Sequence, residues 1–140
     1  MINNYWLFVA ALMTDVASLL HILIIIGGAS WYRFFGAGEK MASMAQRGSC
    51  YPGTVTAMVS AGLFIWGLYA FAGSGVIGML PYMKFCLVSI AFVFLLRALC
   101  GLVYYFSHAS AQKFMLYSSL ICLLYGFLYS YGTFQVWPQL

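Results

Sequence analysis

Four stretches of the chain are continuously apolar, and the breaks between them are short. They cover residues of about 5–32, 52–72, 82–106 and 114–134, with polar or glycine-rich breaks between them. Runs of this length, apolar on every face rather than alternating, predict membrane-spanning helices and exclude the alternating pattern of a barrel. Open sheets are excluded because hydrocarbon cannot satisfy edge amides. Tyr5-Trp6 and Trp31-Tyr32 bracket the first run. A helix from Tyr5 to Trp31 rises about 39 Å, which covers an apolar core of about 30 Å and part of both headgroup zones. Trp and Tyr suit those zones because each ring is apolar with a polar edge.

The break at 33–51 is the long polar one. Arg33, Glu39, Lys40 and Arg47 lie here with Gly36, Gly38 and Gly48. Met41, Met44 and Ala45 share one helical face while Lys40, Ser43 and Arg47 share the other, so a short helix on the membrane surface is expected. Pro52 suits the first turn of the second span. Gly73-Ser74-Gly75 ends that span, Pro81 opens the third, and a connector at 107–113 leads to the fourth. The fold expected is all-α: a single transmembrane domain over residues 1–140, an up-down four-helix bundle with an interfacial helix between spans one and two. The N-terminus lacks a basic n-region and the first apolar run is too long for a cleavable signal, so the first span is expected to remain.

Composition agrees and narrows the function. Of 140 residues, 65% are hydrophobic and 6% charged. Soluble domains carry roughly 45–50% apolar and about 25% charged residues, so the main solvent is expected to be lipid. The net charge of +4 comes from scattered Arg33, Lys40, Arg47, Lys84, Arg97 and Lys113. A nucleic-acid interface would need these clustered on one face. Arg33, Lys40, Arg47 and Lys113 fall on one side of the expected topology and Lys84 on the other, which predicts cytoplasmic loops and outward, periplasmic termini in a bacterial inner membrane. Cys50, Cys86, Cys100 and Cys122 form no CxxC and no disulfide framework.

Three ionisable residues fall inside spans: Asp15, His21 and Arg97. Such groups cost about 2.5–3.5 kcal/mol each on the insertion scale for Asp or Arg, and they normally face the bundle interior. Counted in from Tyr5 and Tyr82, the levels of Asp15 and Arg97 differ by about 7 Å, so an ion pair between them is one expectation and a proton or ligand site is another. A third is an Arg97 that snorkels to the cytoplasmic interface. His21 is suited to proton relay or haem ligation, or to a plain hydrogen bond. His108 lies about 15 Å from its level, too far for both to hold one iron. Glu39 is the acid outside the spans and is expected at the positive end of the surface helix or as a loop contact to a partner. Tyr125 and Tyr129 share a face one turn apart, which suits packing or interhelical hydrogen bonds. Ala57, Ala61 and Gly62 give the second span a small-residue face.

The stretches FGAGEKM at 35–41, RGSCYPGTVT at 47–56, GLYAFAGSGVIGMLP at 67–81 and LLRALCG at 95–101 resemble a family of small bacterial four-span inner-membrane proteins. Phe71, Ala72 and Ser74 depart from that family's pattern. The resemblance implies topology and bacterial origin, and no activity, cofactor or metal. LHILIIIGG at 20–28 is similar to the first span of a four-span haem-associated oxidase family, whose fuller His and Lys complement this chain lacks. Asp15 sits as an acid does in small multidrug exporters, although the surrounding sequence does not follow and the charge bias opposes dual topology.

The leading expectation is a non-catalytic assembly or accessory component in the lipid bilayer, as a homo-oligomer or with a membrane-protein partner. The alternative is a proton-coupled carrier of a small or hydrophobic solute using Asp15 and His21. A haem- or quinone-associated redox protein is the third.

Overall fold

The structure, a computed structural model, describes residues 3–108 and 113–140. Five α-helices form, with no strand among the described residues: α1 Tyr5–Phe34, α2 Glu39–Gln46, α3 Tyr51–Ser74, α4 Met83–Ser107 and α5 Lys113–Val136, closed by a 3-10 turn at Trp137–Gln139. Helices α1, α3, α4 and α5 are each long and apolar enough to cross a membrane, and the chain is an all-α, multi-pass membrane protein of the four-helix bundle class. The expected connector at 107–113 falls largely on residues 109–112, outside the described residues.

Two compact units make up the chain, Met1–Thr14 with Ile65–Leu140, and Asp15–Phe64. In the first unit all four long helices meet. Asn4 caps α1, its Oδ1 accepting the Leu7 N–H at 2.8 Å, while its Nδ2 donates to Gln135 Oε1 at 2.8 Å. The Asn3 N–H donates to Ser74 O at 2.7 Å, and Lys84 Nζ stands 5.0 Å over the Trp137 ring. One end of this unit therefore gathers the start of α1, the end of α3, the start of α4 and the end of α5. Consecutive long helices run antiparallel, as an up-down bundle requires.

Tyr129 of α5 is fully buried at the centre of that unit. Its hydroxyl hydrogen-bonds with Thr14 Oγ1 of α1 at 3.1 Å and donates to Trp66 O of α3 at 3.1 Å. Its ring stacks on Phe94 of α4 with centroids 5.6 Å apart. Tyr125 packs on the same Phe94 at 5.0 Å and donates its hydroxyl to Met13 O at 2.8 Å. The tyrosine pair thus does both things its spacing allows.

The second unit corrects the reading of the first span. Helix α1 is broken at Gly28, where φ is 65° and ψ is −150°. A side chain rarely tolerates that region, so glycine places the bend. The unbroken part, Tyr5 to Gly27, rises about 33 Å, close to the hydrocarbon thickness. Beyond the bend Tyr32 turns inward, 3% exposed, with its hydroxyl 3.2 Å from Thr56 Oγ1 of α3. Tyr32 is therefore not the interfacial bracket its position suggested. It forms a small core with Ile24 and Ala42 of α2, flanked by Leu20, Phe35 and Ala45. Ala42 and Ala45 of α2 thus pack against α1.

A Cβ at Gly28 would meet no atom within 4 Å, so the cost of a side chain there is backbone strain alone. Gly28→Ala should lower stability by about 1–3 kcal/mol, read from thermal unfolding in detergent. Gly62 also has open space but lies within α3 with no positive φ. Gly62→Ala should leave stability unchanged or raise it, by up to about 1 kcal/mol.

Candidate functional site

Within the second unit α1 and α3 are clamped by a reciprocal pair of serines. Ser18 Oγ donates to Ser60 O at 2.8 Å and Ser60 Oγ donates to Ser18 O at 2.9 Å, with the two hydroxyls 3.0 Å apart. Each hydroxyl is satisfied without water, as a buried polar group in hydrocarbon must be. Ala57 and Ala61 flank Ser60 on α3 and fill little space. A groove of about 560 Å³ is left beside the clamp, walled by Asp15, Leu19 and Ile22 of α1 and by Ala57, Ala61 and Phe64 of α3. That volume suits a small-molecule ligand.

Asp15 is half-buried on this groove. Its Oδ1 is shut off from solvent and has no hydrogen-bond partner; among the described residues Thr133 Oγ1 is the other buried side-chain atom in that state. Among the described residues of its own unit no cation pairs with Asp15, where the Arg33–Glu39 pair at 2.8 Å is found instead. Arg97 is exposed, and its Nη2 donates to Met115 Sδ at 3.8 Å and Ser118 Oγ at 3.5 Å on α5.

His21 does not join Asp15 either. Its Nδ1 is bonded to Ala17 O, one turn back on its own helix, at 2.7 Å, and the ring lies off the groove. Of the candidates Asp15, His21 and Arg97, Asp15 is the one that lines the groove, with Ser18 and Ser60 as its polar neighbours, and Arg97 belongs to the other unit. His108 stacks on Tyr104 at 4.3 Å and bonds to Tyr104 O at 3.1 Å. Among the described residues no group of three or more His, Cys, Asp or Glu comes together, and the four cysteines are free.

Glu39 opens α2, near the positive end of the helix as expected, but makes no capping bond. Arg33 takes it in a fork: Nε donates to Oε2 at 3.0 Å and Nη2 to Oε1 at 2.8 Å, while the same Nη2 reaches Gln46 Oε1 at 3.1 Å. The contact is thus within the chain, tying both ends of α2 to the end of α1. Comparison with known proteins finds no matching family model, curated protein or solved structure.

The hydrogen bonds from Arg33, and secondarily its charge, hold the Glu39 carboxyl below the usual carboxylate range. A depressed folded-state value contributes stability that is present above the ordinary Glu value of about 4.3 and is lost as pH falls through the lowered one. Glu39→Gln should therefore melt below wild type at neutral pH. The gap should persist to about pH 5, shrink in more acid solution, and narrow with added salt because the pair is exposed.

Proposed function

We propose that the chain is a non-enzymatic carrier of a small hydrophobic or amphipathic solute, bound in the α1–α3 groove, with Asp15 as its proton-exchanging group. One observation carries this reading: a carboxyl oxygen inside a membrane span that has neither a hydrogen bond nor a counter-charge. A structural ion pair would have explained an acid at this depth, and among the described residues of its own unit Asp15 has none. A proton or a cationic ligand neutralises the carboxylate instead, and an intramembrane acid that must be neutralised from outside the chain couples naturally to solute binding. His21, whose Nδ1 is bonded to Ala17 O of its own helix and whose ring does not line the groove, is left out of the proposed exchange.

The reading is tested in proteoliposomes with an imposed pH gradient and a panel of probes: tetraphenylphosphonium, a neutral hydrophobic solute and an amphipathic anion. Wild type should move at least one probe in a gradient-dependent way. Asp15→Asn keeps the shape of the side chain and should abolish coupling while the protein stays folded. Coupled transport by Asp15→Asn at the wild-type rate, or no gradient-driven flux by wild type, would sink the proposal.

A second reading, an accessory component of a membrane assembly, is favoured by Ala57 and Ala61 in the same groove wall. Small residues there permit close approach by a further helix. In that case isolation in mild detergent gives an oligomer or a co-purifying membrane protein, and Asp15→Asn alters assembly rather than flux.

For location we propose a bacterial inner membrane with both termini periplasmic. Arg33, Lys40 and Arg47 precede α3 and Lys113 opens α5, whereas Lys84 stands alone at the opposite ends of the long helices. Reporter fusions after Leu140 should score periplasmic, and a cytoplasmic score would reverse the orientation.

A further inference from the structure

Arg97 lies fifteen residues into α4, near the middle of a helix that crosses the membrane. Helical side chains lean toward the N-terminus of their own helix, which for Arg97 is away from the nearer end. This one runs the other way. The Arg97 Cα is about 15 Å of helical rise from the Ser107 end, whereas Ser118, which its Nη2 reaches, is about 7.5 Å from the Lys113 end of α5. The guanidinium is thus carried about 7 Å toward the ends where α4 finishes and α5 begins.

Gly101 opens the path. It is buried one turn beyond Arg97, and a Cβ there would stand 2.5 Å from Arg97 Nη1 and collide with Ser119 Oγ. The cradle therefore exists because residue 101 has no side chain. Its partners are neutral and distant: a thioether at 3.8 Å and a hydroxyl at 3.5 Å. The unit that holds Arg97 contains no Asp or Glu, and Glu39 of the other unit is taken by Arg33. The guanidinium, exposed and with five N–H donors, thus lies little more than a helical turn short of the helix ends.

We propose that Arg97, positioned by Ser118 in the cradle opened by Gly101, binds the headgroup phosphate of an anionic phospholipid. The planar guanidinium offers two parallel N–H donors to two phosphate oxygens, while the Ser118 hydroxyl, which donates to Met115 O at 3.1 Å, accepts from Arg97 Nη2 and positions it. Lys113, exposed at the start of α5, adds positive charge at the same end of the helix pair, which favours an anionic over a zwitterionic lipid.

The full chain in detergent is titrated with dioctanoyl phosphatidylglycerol, dioctanoyl phosphatidylcholine and inorganic phosphate, and binding is followed by native mass spectrometry and thermal shift. Wild type should bind the glycerol lipid at least tenfold more tightly than the choline lipid. Arg97→Gln should lose that preference, Arg97→Lys should keep part of it, and Arg47→Gln, outside the cradle, should keep it whole. Equal binding of the two lipids by wild type overturns the proposal, as does an undiminished preference in Arg97→Gln. If Arg97→Gln does not fold, Arg97→Lys decides: a weakened preference supports the guanidinium fork and an unchanged one overturns it. Inorganic phosphate that displaces the glycerol lipid at equal concentration would identify free phosphate as the ligand and overturn the lipid assignment. A co-purified membrane protein whose carboxylate is lost from the complex in Arg97→Gln would do the same.

Discussion

The Tyr129 hydroxyl is the point at which four helices are reconciled. Hydrocarbon supplies no water, so a polar group inside a span is satisfied by a neighbouring helix or left wanting. Tyr129 answers that constraint with one side chain: Thr14 on α1, the Trp66 carbonyl on α3, and the Phe94 ring on α4. Hydrogen bonds of this kind average only about 0.6 kcal/mol within membranes. Their weight is in register: the Tyr129 contact fits one rotation and one level of each helix. The Asn4 cap repeats the device at the chain end, joining α1 to α5 through Gln135.

The same constraint makes Asp15 and Arg97 informative, because the chain resolves them differently. Around Asp15 the serines satisfy each other and exclude the carboxyl from their exchange, leaving an oxygen that protein atoms do not serve. Arg97 has a long side chain and a glycine-lined route out, so it leaves the apolar depth rather than seeking a partner within it. An aspartate has no such reach. A short acid stays at its depth, whereas a long base can carry its charge toward the helix ends.

The four helices were legible because lipid imposes a composition as well as a pattern. The segments at 52–72 and 82–106 end within two residues of α3 and α4, since glycine and proline bound both. The break at Gly28 was not legible. It lies in the run Ile24-Ile25-Ile26-Gly27-Gly28, where hydropathy stays high and no polar residue marks the turn. The functional candidates divided in a similar way. Residue type alone singled out Asp15, but not Ser60, an ordinary serine until Ser18 is placed against it. Nor did the level of Arg97 disclose its direction, which Gly101 decides from a full turn away.

The bend at Gly28 bears on how this protein meets bilayers of different thickness. A straight helix the length of α1 would measure about 45 Å, and tilting is the usual remedy for a rod longer than its slab. Here the surplus is folded aside at a fixed residue and locked against α2, so α1 presents a constant apolar height. A thicker membrane is then met by local thinning of the lipid around α1 rather than by recruiting the residues after Gly28, because Tyr32 is already committed to Thr56 and the α2 core. The hinge glycine thereby acts as a length gauge, favouring membranes whose hydrocarbon matches the segment before it.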